Sequence, residues 1–541
     1  MLFEKRFLGL GGAFFSTVLL ACGDSGSSTT GTTLTSTVGT TSAGPTSDPS
    51  SDPATDTSAA PTTGGGMSNS NSNATTDAES TSTGAVDTGI GEVSTSESST
   101  TQGVDDSTST SSSSEDTGAI KFDVMPETSG STGEPPPPMV GSCRPSEIHG
   151  AAGGFPKYTD PLYAPFLDKK IAIVTTNSQE FPNDHVLHIV DISGDPPPPA
   201  LNYAAPKYRN PNWKAGNIGK VFGLTLDSAG NIYLAASSVW SFSPTPGKIR
   251  KIDAVTGAIT DFATLPNNGP AFGNINYDCV SETIYVSSHE DGRIWQLDMN
   301  GQVVSTYRHS DKTVTMGMPN DPGEPNGAFT PLGDTRVWAV QSHAGRLYYS
   351  VWKEDTGRQN GAASNEIWSV AYIDEKGVVD PATAKKEFEP PNNQGATFSN
   401  PVSDLSFAAT GWMLISQRTM YQDNGTTAHQ SYTYEYQFDI PTQTWVPKGM
   451  TYVVGELPGS AAGGVDHDFE ENGYVWMTGD ALDFYTPLVV YGLQGTPHGG
   501  GTYMISTLID MDDELNDQDK TEQGDVELPI PGDANPVPPP Q

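Results

Sequence analysis

The sequence predicts an all-β fold, a β-propeller of six blades behind a long unstructured arm. Three observations predict it. Between residues 141 and 507 helical periodicity is nearly absent, and short apolar segments of strand composition alternate with turn signals. Six of these segments look alike: KKIAIVTTN, GNIYLAAS, ETIYVSSH, GRLYYSVW, GWMLISQR and GYVWMTGD. Their first apolar residues are Ile171, Ile232, Ile284, Leu347, Met413 and Val475, in steps of 61, 52, 63, 66 and 62 residues. A recurrence of this length, with room for four strands per unit, marks a propeller. Finally, all nine Trp and all twenty Tyr lie between positions 158 and 503, so the apolar core is confined to one stretch of the 541 residues. The first recurrence is the most weakly marked. The count is therefore six or seven, and a terminal strand is one way to complete the first blade.

The elements follow in chain order. Lys5 and Arg6 precede an apolar run from Phe7 to Ala21. That run suits an export signal and is short for a membrane span. It ends in Leu19-Leu20-Ala21-Cys22. On these residues the N-terminus resembles a bacterial lipoprotein precursor. The resemblance implies cleavage before Cys22, lipidation of Cys22, and attachment to a membrane through that lipid. Residues 1–22 are thus read as a lipoprotein signal. The expected location is the cell envelope, at the outer membrane on its surface or periplasmic side.

Residues 23–140 are Ser/Thr/Gly/Asp/Glu tracts with one aromatic, Phe122, and a closing run of prolines from Pro135 to Pro138. Too little apolar surface is present to offset the entropy of ordering. This arm is expected to be a disordered, extended linker, with an r.m.s. span of roughly 55–65 Å. Residues 508–541 are acidic and then Pro-rich, and read as a solvated tail. Asp510, Asp512, Asp513, Asp517 and Asp519 lack the spacing of an EF-hand loop.

Charge follows the same divisions. The net −38 divides into +1 for residues 1–22, −15 for 23–140, −15 for the propeller (141–507) and −9 for 508–541. No segment after the signal is basic, which excludes a nucleic-acid partner. Besides Cys22 there are two cysteines, Cys143 and Cys279. An even pair in an exported domain reads as one disulfide, tying the start of the propeller to its body.

Within the propeller, VFGLTLD, NIYLAAS, GKIRKID and AITDFATL read as the four strands of one blade. Third strands end alike at Asp253, Asp298, Asp374 and Asp439, where an Asp side chain can bond a nearby backbone N–H in a tight turn. GLTLDSAGNIYLA followed by GKIRKID resembles the NHL and gluconolactonase-type propellers, over about 250 residues. The resemblance implies the fold more than an activity. In the lactonase branch, acids and amides just before the inner strands hold a metal. Phe222 occupies that slot before Gly223, and Asp404 and Asp466 lie one step out of register. Metal-lactonase chemistry is therefore not carried over.

Propeller geometry puts inner-strand starts and second-strand ends on one face. There the sequence places Asn274, Asn276, His289, Asp404, Arg418, Asp466, Asp468 and Asp480. Aligning GWMLI with GYVWM maps Asp404 onto Asp466. Asp466 and Asp468 point the same way along a strand and could share a divalent cation such as calcium, or hold one carboxyl as a base. His289-Glu290-Asp291-Gly292 reads as an exposed hairpin, and Arg418 as the partner of an anionic ligand or of a neighbouring acid. No catalytic motif appears. The expected function is a membrane-anchored propeller that binds a small molecule, a glycan or a protein. The alternative is a hydrolase, lyase or lactonase with its site on the same face.

Overall fold

The computed structural model describes residues 154–529, apart from 178–180, 195–201, 321–325, 358–362, 392–395, 409–411, 450–451, 469–472, 484–488 and 516–521. The signal, Cys22, the arm and Cys143 lie outside the described residues. The fold is a six-bladed β-propeller. All six look-alike segments are second strands of their blades, beginning at or next to the aligned apolar residue.

Blade 2 shows the plan, with Val221–Leu226 innermost and then Ile232–Ala236, Lys248–Ile252 and Ile259–Thr264, each antiparallel to the last. The inner strands of blades 3 to 6 are Phe272–Asp278, Val337–His343, Val402–Phe407 and Ala461–His467. Blade 3 adds a fifth strand, Thr313–Met316, at its outer edge. Adjacent inner strands touch all the way round, so the ring is closed.

Closure corrects the reading of residues 508–541 as a tail. Thr507–Asp510 is the fourth strand of blade 6, and Gln523–Glu527 is the inner strand of blade 1, antiparallel to Ile171–Thr176. Asp510 and Asp525 are buried. The error has a physical cause: the acids dominate the composition, while the strand needs only Val526 and Leu528 to face the core of blades 6 and 1. A second clasp crosses that junction. Asn202–Tyr203, from the blade 1 region, runs parallel to Thr507–Asp510.

There is no single core. One apolar cluster fills each junction between neighbouring blades. Ile171 and Ile173 face blade 2, while Ala172 and Val174 face blade 6. Both faces of each sheet are thus buried, and the strands read as continuous apolar runs rather than alternating ones. The third-strand acids serve their turns. Asp253 Oδ1 accepts the Thr256 N–H at 2.8 Å, and Asp298 Oδ1 accepts the Asn300 N–H at 2.9 Å.

Candidate functional site

Inner strands run side by side around the channel, too far apart for backbone pairing to join one blade to the next. Side chains make the joints instead. Asp525 Oδ2 of blade 1 accepts the Leu224 N–H of blade 2 at 3.1 Å. Thr225 Oγ1 accepts the Tyr277 N–H of blade 3 at 3.1 Å, and Asn276 Oδ1 accepts the Ser342 N–H of blade 4 at 2.9 Å. Ser350 Oγ donates to the Val402 carbonyl of blade 5 at 2.7 Å. Asp404 Oδ2 accepts the Val465 N–H of blade 6 at 2.8 Å, and Asp466 Oδ2 accepts the Leu528 N–H of blade 1 at 2.7 Å. The ring is stapled at every junction, and three of its staples are carboxylates.

Asp404 and Asp466 do not occupy equivalent positions, which corrects the alignment. Asp404 pairs with Ser416, whereas Asp466 pairs with Trp476. The blade 5 counterpart of Asp466 is therefore Ser406, whose Oγ donates to Asp466 Oδ1 at 2.8 Å. The two acids sit two residues apart along the strand direction, on separate tiers. Insertions in the inner-to-second-strand turns shift this register without disturbing the second strands.

The tier of Asp404 draws on five blades. Asn274 of blade 3 donates Nδ2–H to Asp404 Oδ1 at 3.0 Å and to the Ser403 carbonyl at 3.1 Å. Asp404 and Asp525 are hydrogen-bonded and fully enclosed. Burial, and then the charge of Asp525, raise Asp404 well above the usual carboxylate range. Burial raises Asp525 to about 7. One proton held between two carboxyls relieves their repulsion. Two glycines make room here. A side chain at Gly223 would run into Asn274, and one at Gly464 would lie 2.8 Å from Asp525 Cα.

These acids do not fit a calcium ion. Asp404 also accepts the Leu405 N–H at 2.8 Å, Asp466 the His467 N–H at 2.7 Å, and Asp525 the Val526 N–H at 3.0 Å. Their oxygens face N–H donors, whereas calcium takes six to eight oxygen ligands. Asp466 and Asp468 do not share a site either, because Asp468 lies just past the strand and pairs with Lys170 at 2.5 Å. Among the described residues no group of three or more His, Cys, Asp or Glu side chains is placed to hold a metal.

Above the acids, at the inner-strand starts, the channel is apolar. Phe222 is fully buried among Trp338, Trp352, Val239 and Met420, with Trp240 and Leu332 at the margin. A side chain at Gly463 of blade 6 would lie 3.1 Å from the tip of the Phe222 ring and closer still to Ser403. Gly463 has φ +107°, a conformation side chains rarely adopt.

His289 belongs to this layer. The expected exposed hairpin is buried: His289, Glu290 and Asp291 are 0%, 3% and 8% exposed. Glu290 is consumed in loop anchoring, with its Oε2 accepting the Asn268 N–H at 2.6 Å. His289 packs edge-on to Trp338 at 5.2 Å, with Phe329 at 6.1 Å and Trp352 at 6.3 Å. Neither ring nitrogen has a hydrogen-bond partner among the described residues, and the indole nitrogens of Trp338 and Trp240 have none. Burial, and then the Arg336 charge, lower the His289 pKa to about 3, so the ring is neutral.

Arg418 follows the second strand of blade 5, whereas Asp480, expected after that of blade 6, lies within it, since the strand runs Tyr474–Asp483. They form a buried ion pair at 2.7 Å, and Arg418 also donates to the Ala462 carbonyl at 3.1 Å. Burial lifts Asp480 to about 6 even against that partner. The singled-out residues thus fall into Asn274 with Asp404, Arg418 with Asp480, Asp466 and Asp468 each in its own bonds, and His289 among aromatics. Asp525, Trp338 and Trp352 were missed. QGDVEL matches the carboxylate-then-apolar step of SDLSF, a signal hidden by its acidic surroundings.

No protein-family model matches the chain, and no curated protein matches it. Several solved structures are similar to it. One is a chain of a nidogen/laminin complex, 11% identical, covering 68% of this chain and 99% of that one, with a TM-score of 0.36. A second is a protein of unknown function from Bacteroides caccae, 10% identical, covering 66% and 98%, with a TM-score of 0.37. A third is a proposed gluconolactonase, 12% identical, covering 51% and 73%, with a TM-score of 0.30. At these values the likenesses bring neither an activity nor a ligand to this chain.

Proposed function

We propose that this chain is a lipid-anchored envelope protein whose propeller binds a ligand on the face where its inner strands start. The observation that carries the binding reading is the contrast between two layers. The acids of the channel are spent on staples, and their oxygens face backbone donors. The layer above holds His289, Trp338 and Trp240 with unpartnered ring nitrogens. A buried polar group without a partner is costly, and such groups persist where a ligand completes them. The engagement of Asp404, Asp466 and Asp525 with backbone N–H groups also favours binding over hydrolysis.

The anchor is supported by Lys5, Arg6, the apolar run and Leu19-Leu20-Ala21-Cys22. The long acidic arm would hold the propeller clear of the bilayer. Cys22→Ser should release the protein from the membrane fraction; a variant that stays membrane-bound sinks the anchor. For binding, a chemically broad small-molecule library is screened by tryptophan fluorescence against wild type and His289→Leu. At least one compound should perturb wild type alone. If every hit acts equally on both, the face around His289 is not the site.

A further inference from the structure

We infer that the layer around His289 takes a neutral saccharide, an inference that rests on the binding reading above and names its ligand class. Three kinds of side chain meet there. The rings of Trp338, Phe329 and Trp352 lie 5.2, 6.1 and 6.3 Å from that of His289, and those of Trp338 and Trp352 lie 5.6 Å apart. His289 has both nitrogens unpartnered, and Trp338 and Trp240 have free indole N–H groups. Arg336 lies 5.1 Å over the Phe329 ring and 4.7 Å over that of Trp352.

Each competing ligand class meets an obstacle. An anion finds both arginines of this face already paired, Arg336 with Asp423 at 2.9 Å and Arg418 with Asp480 at 2.7 Å. The net charge of −38 repels it further. A quaternary ammonium would meet the positive charge of Arg336, which lies over the Phe329 and Trp352 rings. A purely apolar ligand would leave His289 and the indole N–H groups dry. A sugar ring has C–H faces for the aromatic rings. Its hydroxyls accept from the indoles and both donate to and accept from a neutral imidazole. The ligand would reach the buried nitrogens past Phe329, Leu332 and Trp240, which are only partly buried.

The test uses the full chain in detergent. The probes are glucose, galactose, mannose and cellobiose, with glucuronate, choline and benzoate as the competing classes. Tryptophan fluorescence and thermal shift are read on wild type, His289→Leu and Trp338→Phe. At least one neutral sugar should bind saturably and about tenfold more weakly to each variant, the loss of one hydrogen bond. A His289-dependent response to glucuronate, choline or benzoate, with none to the sugars, overturns the saccharide and leaves the binding reading standing. No response to any probe also overturns the saccharide, and the library screen then decides the binding reading on its own. Circular dichroism of both variants shows that they are folded.

Discussion

Two residue-level features make opposite predictions for stability. Asp404 and Asp525 are buried staples with carboxyls raised above the unfolded value of about 3.9, Asp525 to about 7. Between those values the folded chain keeps protons that the unfolded chain has released. The pair's stabilisation is full below the unfolded value and is lost as pH rises through about 7. Asp525→Asn removes a titrating group, so the gap in urea midpoint between wild type and variant should narrow from pH 5 to pH 8. A gap that widens over that range contradicts the shared proton. His289, His343 and His467, each lowered to about 3 chiefly by burial, pull the other way. Their contribution is present above about 6.5 and lost as pH falls. Only the difference between wild type and variant isolates the pair.

His289 itself is held at a cost. With both nitrogens buried and unpartnered, His289→Leu should raise the unfolding midpoint by the equivalent of about 1–3 kcal/mol. A lowered midpoint would mean that the imidazole is bonded in the free protein. Arg418→Ala, by contrast, strands Asp480 as an uncompensated buried charge. It should cost about 3–5 kcal/mol at neutral pH, checked by denaturant unfolding.

The strand is the scale at which the sequence is both most and least informative. Second strands were legible because each is buried along nearly its whole length, from IAIVTT to YVWMTGDALD. Inner strands were legible only in part. Their channel residues are small or polar, and loops of variable length move their register, so Asp404 and Asp466 looked equivalent when they are not. The closing strand Gln523–Glu527 hid among acids, and no local pattern announces that it completes a blade 350 residues upstream. Site residues fared similarly. His289 and the Arg418–Asp480 pair were visible by position, but which polar groups lack partners depends on contacts between blades. Stopping the chain after Glu522 should remove the inner strand of blade 1, two staple bonds, the Asp525 N–H bond to Thr175 Oγ1 and the Val526 and Leu528 contacts. Such a chain should lose cooperative thermal unfolding. An unchanged melt would show that the strand is dispensable.

Across the whole molecule, acidity has two physical roles. In residues 23–140, which lie outside the described residues, like charges repel one another along the chain. In the propeller three of the acids are structural joints inside the channel, adding carboxylate bonds to the hydroxyl and amide bonds that also link neighbouring blades. The expected bridge between Cys143 and Cys279 would tie the start of the propeller segment to its body, and Cys143 lies outside the described residues. A thiol count on the denatured, unreduced residues 141–541 should read zero, and two thiols would refute the bridge.

The division of labour between the two channel layers is tested most directly by one paired measurement. Ligand-induced thermal shift is compared in Asp404→Asn and His289→Leu, using the strongest wild-type hit. Asp404→Asn should melt earlier yet keep the ligand-induced shift, because a staple is lost and the binding layer is not. His289→Leu should melt no earlier than wild type and lose the shift. The reverse pattern, with binding lost in Asp404→Asn and kept in His289→Leu, would place the function among the acids and contradict the assignment.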